Sequence, residues 1–311
     1  MTGLTRRRFL WTGLGIAAVG LAGCAPAPAR ALVLGCGEAG GSYLQFGELL
    51  SAVARETGGV EITALATEGS VDNLALLDAG RVDLALSLAD SAAAATTRDG
   101  LVAIGRVYQN YLQCIVRAGD GPRSLADLPG RTVSLGAAGS GAAATARRVL
   151  DAAGLTSATV PPLVVERPFR DAATDLESGR IDALFWSGGV PTPQIADLAA
   201  RTPIAVLDTT PVLPELLRRY PDAYAATTIP AGVYGAESAV PAIGVANLLL
   251  ARASLGDDLA RRLVDVLIDD AARLVPPGSL GIQFLTPASL IDTLPVPLHP
   301  AAERRYRERY G

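Results

Sequence analysis

The sequence predicts an α/β protein of two lobes, each a mostly parallel sheet flanked by helices, with a hinge between them. Three observations carry that prediction. Apolar runs of strand length alternate with runs of helical period along most of the chain, the pattern of βαβ units. Two stretches repeat the same strand and turn features at offsets of 101 and 99 residues, which suggests two similarly wound lobes. Half of the 311 residues are hydrophobic but only 5% are aromatic, so cores are built from Ala, Leu, Val and Ile, which suits small-residue helices packed on strands. This composition also excludes disorder for most of the chain.

The elements follow in order. Leu32–Leu34 reads as a strand, 42–56 as a helix, 60–66 as a strand, 71–79 as a helix and 83–88 as a strand. Two apolar runs, 101–108 and 111–117, are separated by Gln109-Asn110; they fit either neighbouring strands or a strand leading into a crossover. A second series starts with a strand at 132–136. It continues with a helix at 142–153, a strand at 163–165, a helix at 170–178 and a strand at 181–186. Leu77-Asp78-Ala79-Gly80-Arg81-Val82-Asp83 is echoed by Leu176-Glu177-Ser178-Gly179-Arg180-Ile181-Asp182. In each, a helix closes on a glycine, for which positive φ costs little, and the chain turns directly into a strand. Beyond these, 240–250 is apolar and either strand or helix, 257–274 is helical, 294–300 is Pro-rich and 301–310 is a charged helix. This tail is too small for a third domain and is expected to return to the first lobe. The expected lobes are therefore 31–118 with 227–311, and 119–226.

Residues 1–23 read as an export signal rather than a fold element. Arg6-Arg7-Arg8 form a basic region, 9–21 an apolar stretch short of the ~20 residues that span a bilayer, and Leu21-Ala22-Gly23-Cys24 a small-residue cleavage site. The segment resembles a twin-arginine signal joined to a lipobox, which implies acylation of Cys24; residues 24–30 then form a Pro/Ala tether. Cleavage removes three Arg and no acid, moving the formal charge from −4 to −7. All 27 basic residues are Arg and scattered, so there is no nucleic-acid footprint. Cys36 and Cys114 remain in apolar runs; an oxidising compartment permits a bridge between them, while their surroundings are those of buried thiols.

In open parallel sheets ligands sit beyond the carboxyl ends of the strands. Three such junctions are rich in Gly and Ser: Gly40-Gly41-Ser42-Tyr43, Thr67-Glu68-Gly69-Ser70-Val71-Asp72-Asn73 and Gly136-Ala137-Ala138-Gly139-Ser140-Gly141. Each leaves amide N–H groups and the positive end of a helix aimed at the crevice. Singly these are ordinary helix caps; together they suggest a cradle for a carboxylate or phosphate built without cationic side chains. Phe185-Trp186-Ser187-Gly188-Gly189 carries an aromatic pair into a Gly-Gly turn, which suits either a pocket wall or core packing.

Catalytic signals are poor. His299 is the only histidine, no Cys/His cluster has metal spacing, and no G-x-S-x-G elbow occurs. Glu38, Asp72, Asp90 and Asp182 are not visibly paired. Gly35-Cys36-Gly37-Glu38-Ala39-Gly40 satisfies G-x-G-x-x-G, so an exported NAD(P)-dependent oxidoreductase stands as an alternative, although neither Glu56 nor Glu61 sits well as the ribose partner.

The junctions resemble those of the TAXI family, the extracytoplasmic solute receptors of TRAP transporters. The matching stretches are 40–43, 67–74, 80–85, 128–136 with 139–141, 179–185, 229–234 and 297–300, in order over the chain beyond the signal. The resemblance implies a two-lobed periplasmic-binding-protein fold that closes on a small organic anion or amino acid, glutamate-like or a dicarboxylate. It implies delivery of that solute to a TRAP-type membrane permease, with no enzymatic activity and no cofactor. It implies ligand contacts at Gly41, Ser42, Tyr43, Ser70, Asn73, Asp90, Ser140, Gly141, Trp186, Gly188 and Gly189, and a monomer held at the cell envelope or in the periplasm by a lipid on Cys24. Glu68 stands where the family commonly has Gly, and Leu88 where Gln is common. A lipoprotein that binds the same solute and partners a membrane kinase is a further alternative.

Overall fold

A computed structural model describes residues 31–95, 100–276 and 285–311. The export signal, the tether and Cys24 lie outside them. The chain beyond Arg30 runs β1 (Leu32–Gly35), α1 (Ser42–Val53), β2 (Ile62–Leu65), α2 (Ser70–Asp78), β3 (Leu84–Leu88), α3 (Ala89–Ala94) and β4 (Leu101–Arg117). It continues β5 (Thr132–Ser134), α4 (Gly141–Ala152), β6 (Leu163–Val165), α5 (Phe169–Glu177), β7 (Ala183–Gly188), α6 (Pro193–Arg201), β8 (Ile204–Leu207), α7 (Leu213–Arg219) and β9 (Tyr224–Ile229). The last elements are β10 (Val240–Arg252), α8 (Asp257–Asp269), α9 (Pro287–Ile291) and α10 (Pro300–Tyr310). No helix among the described residues is long and apolar enough to cross a membrane.

The strands form one hydrogen-bonded path, β2-β1-β3-β10-β4-β7-β5-β6, with β8 on β4 and β9 on β10. β1 pairs in parallel with β2 and β3, and β5 pairs in parallel with β6 and β7. These two parallel trios are the halves expected from the repeat. They are not separate sheets, however. β4 and β10 are antiparallel to each other and long enough to serve both halves: β10 pairs with β3 through Asn247–Ala251, and β4 pairs with β7 through Tyr111–Val116. The two runs flanking Gln109-Asn110 are thus a single strand. The polar pair lies within its hydrogen-bonded ladder, where Gln109 faces Ala246 and Asn110 faces Val245.

The echoed motif does the same work twice. Gly80 and Gly179 have φ of 67° and 76°, where any side chain would be strained. Asp83, three residues on, accepts the amide of Val33 on β1 at 2.8 Å, and Asp182 accepts that of Thr132 on β5 at 2.9 Å. Each carboxylate therefore fastens the strand entering the sheet to its neighbour. The faces are covered by small-residue helices as the composition requires, with Leu74, Leu77, Ala85 and Leu250 packed together under one half and Phe169, Leu176, Leu184 and Leu198 under the other.

The Pro-rich tail returns to β4 at Ala103, on the edge away from β10: Ala103 N donates to Pro297 O, and His299 N to Ala103 O, each at 2.8 Å. His299 is buried, accepting the Ala301 amide on Nδ1 at 3.1 Å and meeting Leu255 O through Nε2 at 3.0 Å. It caps α10 and ties that helix to the end of β10. Cys36 and Cys114 are both free and buried, so the bridge that the compartment would permit is not made. Burial pushes the Cys36 thiol up to about 12.

Candidate ligand-binding cleft

The starts of three helices from both halves meet around one cavity of about 410 Å³, its open mouth included. Gly41, Ser42 and Tyr43 of α1, Gly69 and Ser70 of α2, and Ser140, Gly141 and Ala142 of α4 line it, together with Gly37, Glu38, Glu68, Leu88, Asn110, Trp186 and Ser187. No Arg or His side chain is among the lining residues, and no cluster of metal-ligating side chains occurs among the described residues.

The three helix starts are not equivalent. α2 is already occupied: Gly139 O, from the other half, accepts both Val71 N and Asp72 N at 3.1 Å. In return Gly139 N donates to Glu68 Oε2 at 2.9 Å. Gly69 makes this approach possible, with φ 123° and a position where an added Cβ would lie 3.3 Å from Ser140 Cα. By contrast, the first amides of α1 and α4 have no acceptor within their own helices. Ser140 does cap α4, accepting the Ala143 amide at 3.0 Å, which leaves Gly141 N and Ala142 N as the donors nearest the cavity. Gly141 has no room for a side chain, because a Cβ would run into Ser70 Oγ and lie 2.7 Å from Leu88 Cδ1.

Contacts between the halves frame the cavity. Ser42 Oγ accepts Gly189 N at 2.9 Å, leaving its hydroxyl proton available, and Gln194 Nε2 donates to Ala39 O at 2.9 Å. Glu38 Oε2 accepts Phe169 N at 3.0 Å. It therefore caps α5 from across the cleft, where Pro168 has no capping side chain of its own. Burial raises the Glu38 pKa, the Phe169 amide works against that, and the Glu68 and Asp171 carboxylates add to it. Trp186 stands edge-on to Phe169 with ring centres 4.9 Å apart and donates Nε1 to Thr192 Oγ1 at 3.1 Å. Tyr43 Oη and Ser70 Oγ are 3.1 Å apart, and Ser70 Oγ also accepts Leu88 N at 3.0 Å. Burial holds the Tyr43 phenol protonated.

Seven of the expected contact residues line the cavity: Gly41, Ser42, Tyr43, Ser70, Ser140, Gly141 and Trp186. Four do not. The Asn73 amide is spent on Cys36 O, on Leu86 O at 2.8 Å and on Thr67 Oγ1 at 2.7 Å, which fastens α2 to β1 and β3. Asp90 is fully buried behind the cleft, where it accepts Thr145 Oγ1 and Arg148 Nη1 at 2.7 Å and Tyr224 Oη at 2.9 Å. Gly188 and Gly189 meet Ser42 Oγ rather than the open space. Ser187, within the Trp186–Gly189 stretch expected to wall the site, lines the cavity too, whereas sequence reasoning had no place for Asn110. The signal for Asn110 was the polar pair Gln109-Asn110 between two apolar runs.

The glycines of the G-x-G-x-x-G turn sit against neighbouring side chains, although Gly37 also lines the cavity. A Cβ at Gly35 would lie 2.7 Å from Asn73 Oδ1, at Gly37 3.1 Å from Tyr43 Cβ, and at Gly40 2.6 Å from Gln194 Nε2. These glycines admit neighbouring side chains, where a dinucleotide fingerprint would admit a pyrophosphate.

Among solved structures, the chain is similar to a putative L-cystine ABC transporter protein from Listeria monocytogenes, at 15% identity and TM-score 0.50 over 78% of this chain and 92% of that one. It is also similar to the GluR0 ligand-binding core from Nostoc punctiforme, in complex with L-glutamate, at 15% identity and TM-score 0.49 over 79% and 95%. A third is the periplasmic aliphatic sulphonate binding protein SsuA from Escherichia coli, at 16% identity and TM-score 0.47 over 90% and 83%. The fold is the two-lobed periplasmic-binding-protein fold, a mixed α/β sheet with flanking helices. The model of the NMT1-like family matches residues 34–309, and the chain belongs to that family.

Proposed function

We propose that this chain is an extracytoplasmic solute receptor that binds a small organic anion or amino acid between its lobes and presents it to a membrane permease. It performs no covalent chemistry. The observation that carries this reading is the meeting of helix starts from both halves at one small cavity that no cationic side chain lines. An acid group there is held by peptide dipoles and by the Ser42 hydroxyl. The moving bodies are 31–118 with 227–311, and 119–226, turning about β4 and β10, the two strands shared by both halves. The amide contacts made by Ser42, Glu38 and Glu68 across the cleft belong to the closed state.

The finer assignment is to a TRAP-type transporter of the TAXI kind. It rests on the ordered junction motifs, while lipid anchoring through Cys24 at the outer face of the cytoplasmic membrane or in the periplasm rests on the lipobox-like Leu21-Ala22-Gly23-Cys24. The oxidoreductase alternative loses its main support where Gly35, Gly37 and Gly40 make room for the side chains of Asn73, Tyr43 and Gln194. Mass spectrometry of small molecules released from gently purified protein tests the reading. A stoichiometric acid or amino acid is expected; a nicotinamide nucleotide would refute it.

A further inference from the structure

The cavity is rich in acceptors that an acid group cannot use. Asn110, in the middle of β4, is 2% exposed and lines the cavity. Its Nδ2 donates to Ser187 Oγ at 3.2 Å, while its Oδ1 is buried and has no partner. Buried carbonyl oxygens are usually paired in folded proteins; Gln113, Gln194 and Asn247 also keep unpaired side-chain oxygens, but of these four residues only Asn110 lines the cavity, so its Oδ1 is the one that a donor on the bound solute can reach. Glu38 and Glu68 line the same cavity, each engaged with the opposite half through Oε2. No cationic side chain lies among the lining residues to balance these two carboxylates. A purely anionic guest would bring like charge into a partly desolvated site, and a neutral donor would leave the carboxylates uncompensated.

We infer that the solute carries a protonated amine beside its acid group, and that Asn110 is the residue that reads the amine, through Oδ1, with Glu38 and Glu68 supplying the balancing charge. The inference rests on the receptor reading and narrows it. An unsubstituted mono- or dicarboxylate falls outside the preferred class, and a zwitterion falls within it. The acid group takes the Ser42–Tyr43 and Gly141–Ala142 amides; the amine takes the acceptors. Asn110 comes from β4, one of the two strands that both halves share and about which the bodies turn.

The test is calorimetry on the whole protein with matched pairs that differ by one amine: L-alanine against propanoate, L-glutamate against glutarate, and taurine against ethanesulfonate. EDTA is present so that no divalent cation stands in for the amine. The zwitterion of at least one pair is expected to bind at least about 10-fold more tightly than its partner, the scale of one charge-assisted hydrogen bond. Asn110→Asp, which keeps the acceptor and adds charge, is expected to hold or raise that affinity, and Asn110→Leu to lower it by roughly 10-fold or more. Glu68 is exposed, so Glu68→Gln folds whether or not the strand variants do, and it is expected to narrow the preference for the amine. Equal or tighter binding of the amine-free partner overturns this inference while leaving the receptor reading intact. So does loss of binding in Asn110→Asp with retention in Asn110→Leu. Failure of every probe in both forms overturns the receptor reading and this inference with it.

Discussion

Removing Arg148 isolates a charge that the fold has taken wholly out of water. Asp90 on α3 is 0% exposed, and the Arg148 side chain on α4 is 15% exposed. Their contact at 2.7 Å joins elements from the two halves, and Arg148 also lies over the Tyr220 ring at 5.3 Å. In Arg148→Ala the carboxylate keeps the Thr145, Tyr224 and Ser91 hydroxyls but loses its counter-ion. Breaking a buried pair from one side costs about 3–5 kcal/mol, and the surviving hydroxyl donors place this case near the lower figure. Asp90→Asn is milder: it leaves Arg148 unpaired, but that partly exposed guanidinium can turn towards solvent, so about 1–2 kcal/mol is expected, the scale of one lost hydrogen bond. Urea unfolding measures both, and thermal melts should follow at roughly 2–4 °C per kcal/mol for a domain of this size. A loss below about 1 kcal/mol in Arg148→Ala, the value of a surface pair, would refute the claim that Asp90 is a desolvated charge held by its partner. Equal losses in the two single variants would refute the asymmetry.

Three other outcomes are expected. Glu38→Gln should flatten the pH dependence of stability. Because the folded-state pKa is raised, the wild-type side chain loses stability as pH rises from the ordinary 4.5 through the raised value, and regains it on acidification. The variant should therefore be as stable as wild type or more so at neutral pH, as urea midpoints across that range would show, while binding an amine-bearing solute more weakly. Gly141→Ala, with Ser70 and Leu88 where its methyl must go, should abolish solute binding in calorimetry while α4 still forms; wild-type affinity would mean that the halves need not approach there. Cys36 and Cys114 should resist iodoacetamide in the native protein at pH 8 and react on unfolding, since burial raises both thiols; peptide mapping distinguishes the two.

Local chemistry was legible wherever it repeats. The βα alternation, the glycine at each helix end and the Ser and Gly at the helix starts follow from periodicity and from what φ each position needs. β4 was broken in two because Gln109-Asn110 looks like a turn when the strand partners that bury it are unknown. α3, α6, α7, β8 and β9 went unread, since short Ala-rich or Pro-punctuated stretches carry little periodic signal. The site was only partly readable for a similar reason. Asn73 and Asp90 are the right residue types for ligand contacts, but their hydrogen bonds are already taken by groups far away in sequence, such as Tyr224 134 residues from Asp90. Asn110 lacks such a partner for Oδ1, and only the packed strand reveals that.

Whether amides at the starts of α1 and α4, in place of cationic side chains, hold the acid group of the solute is tested most directly by a crystal structure of the complex. A carboxylate or sulfonate within hydrogen-bonding distance of the Ser42 or Tyr43 amide and of the Gly141 or Ala142 amide is the expected result. A solute whose acid group rests on an arginine, or that sits outside this cavity, would contradict it.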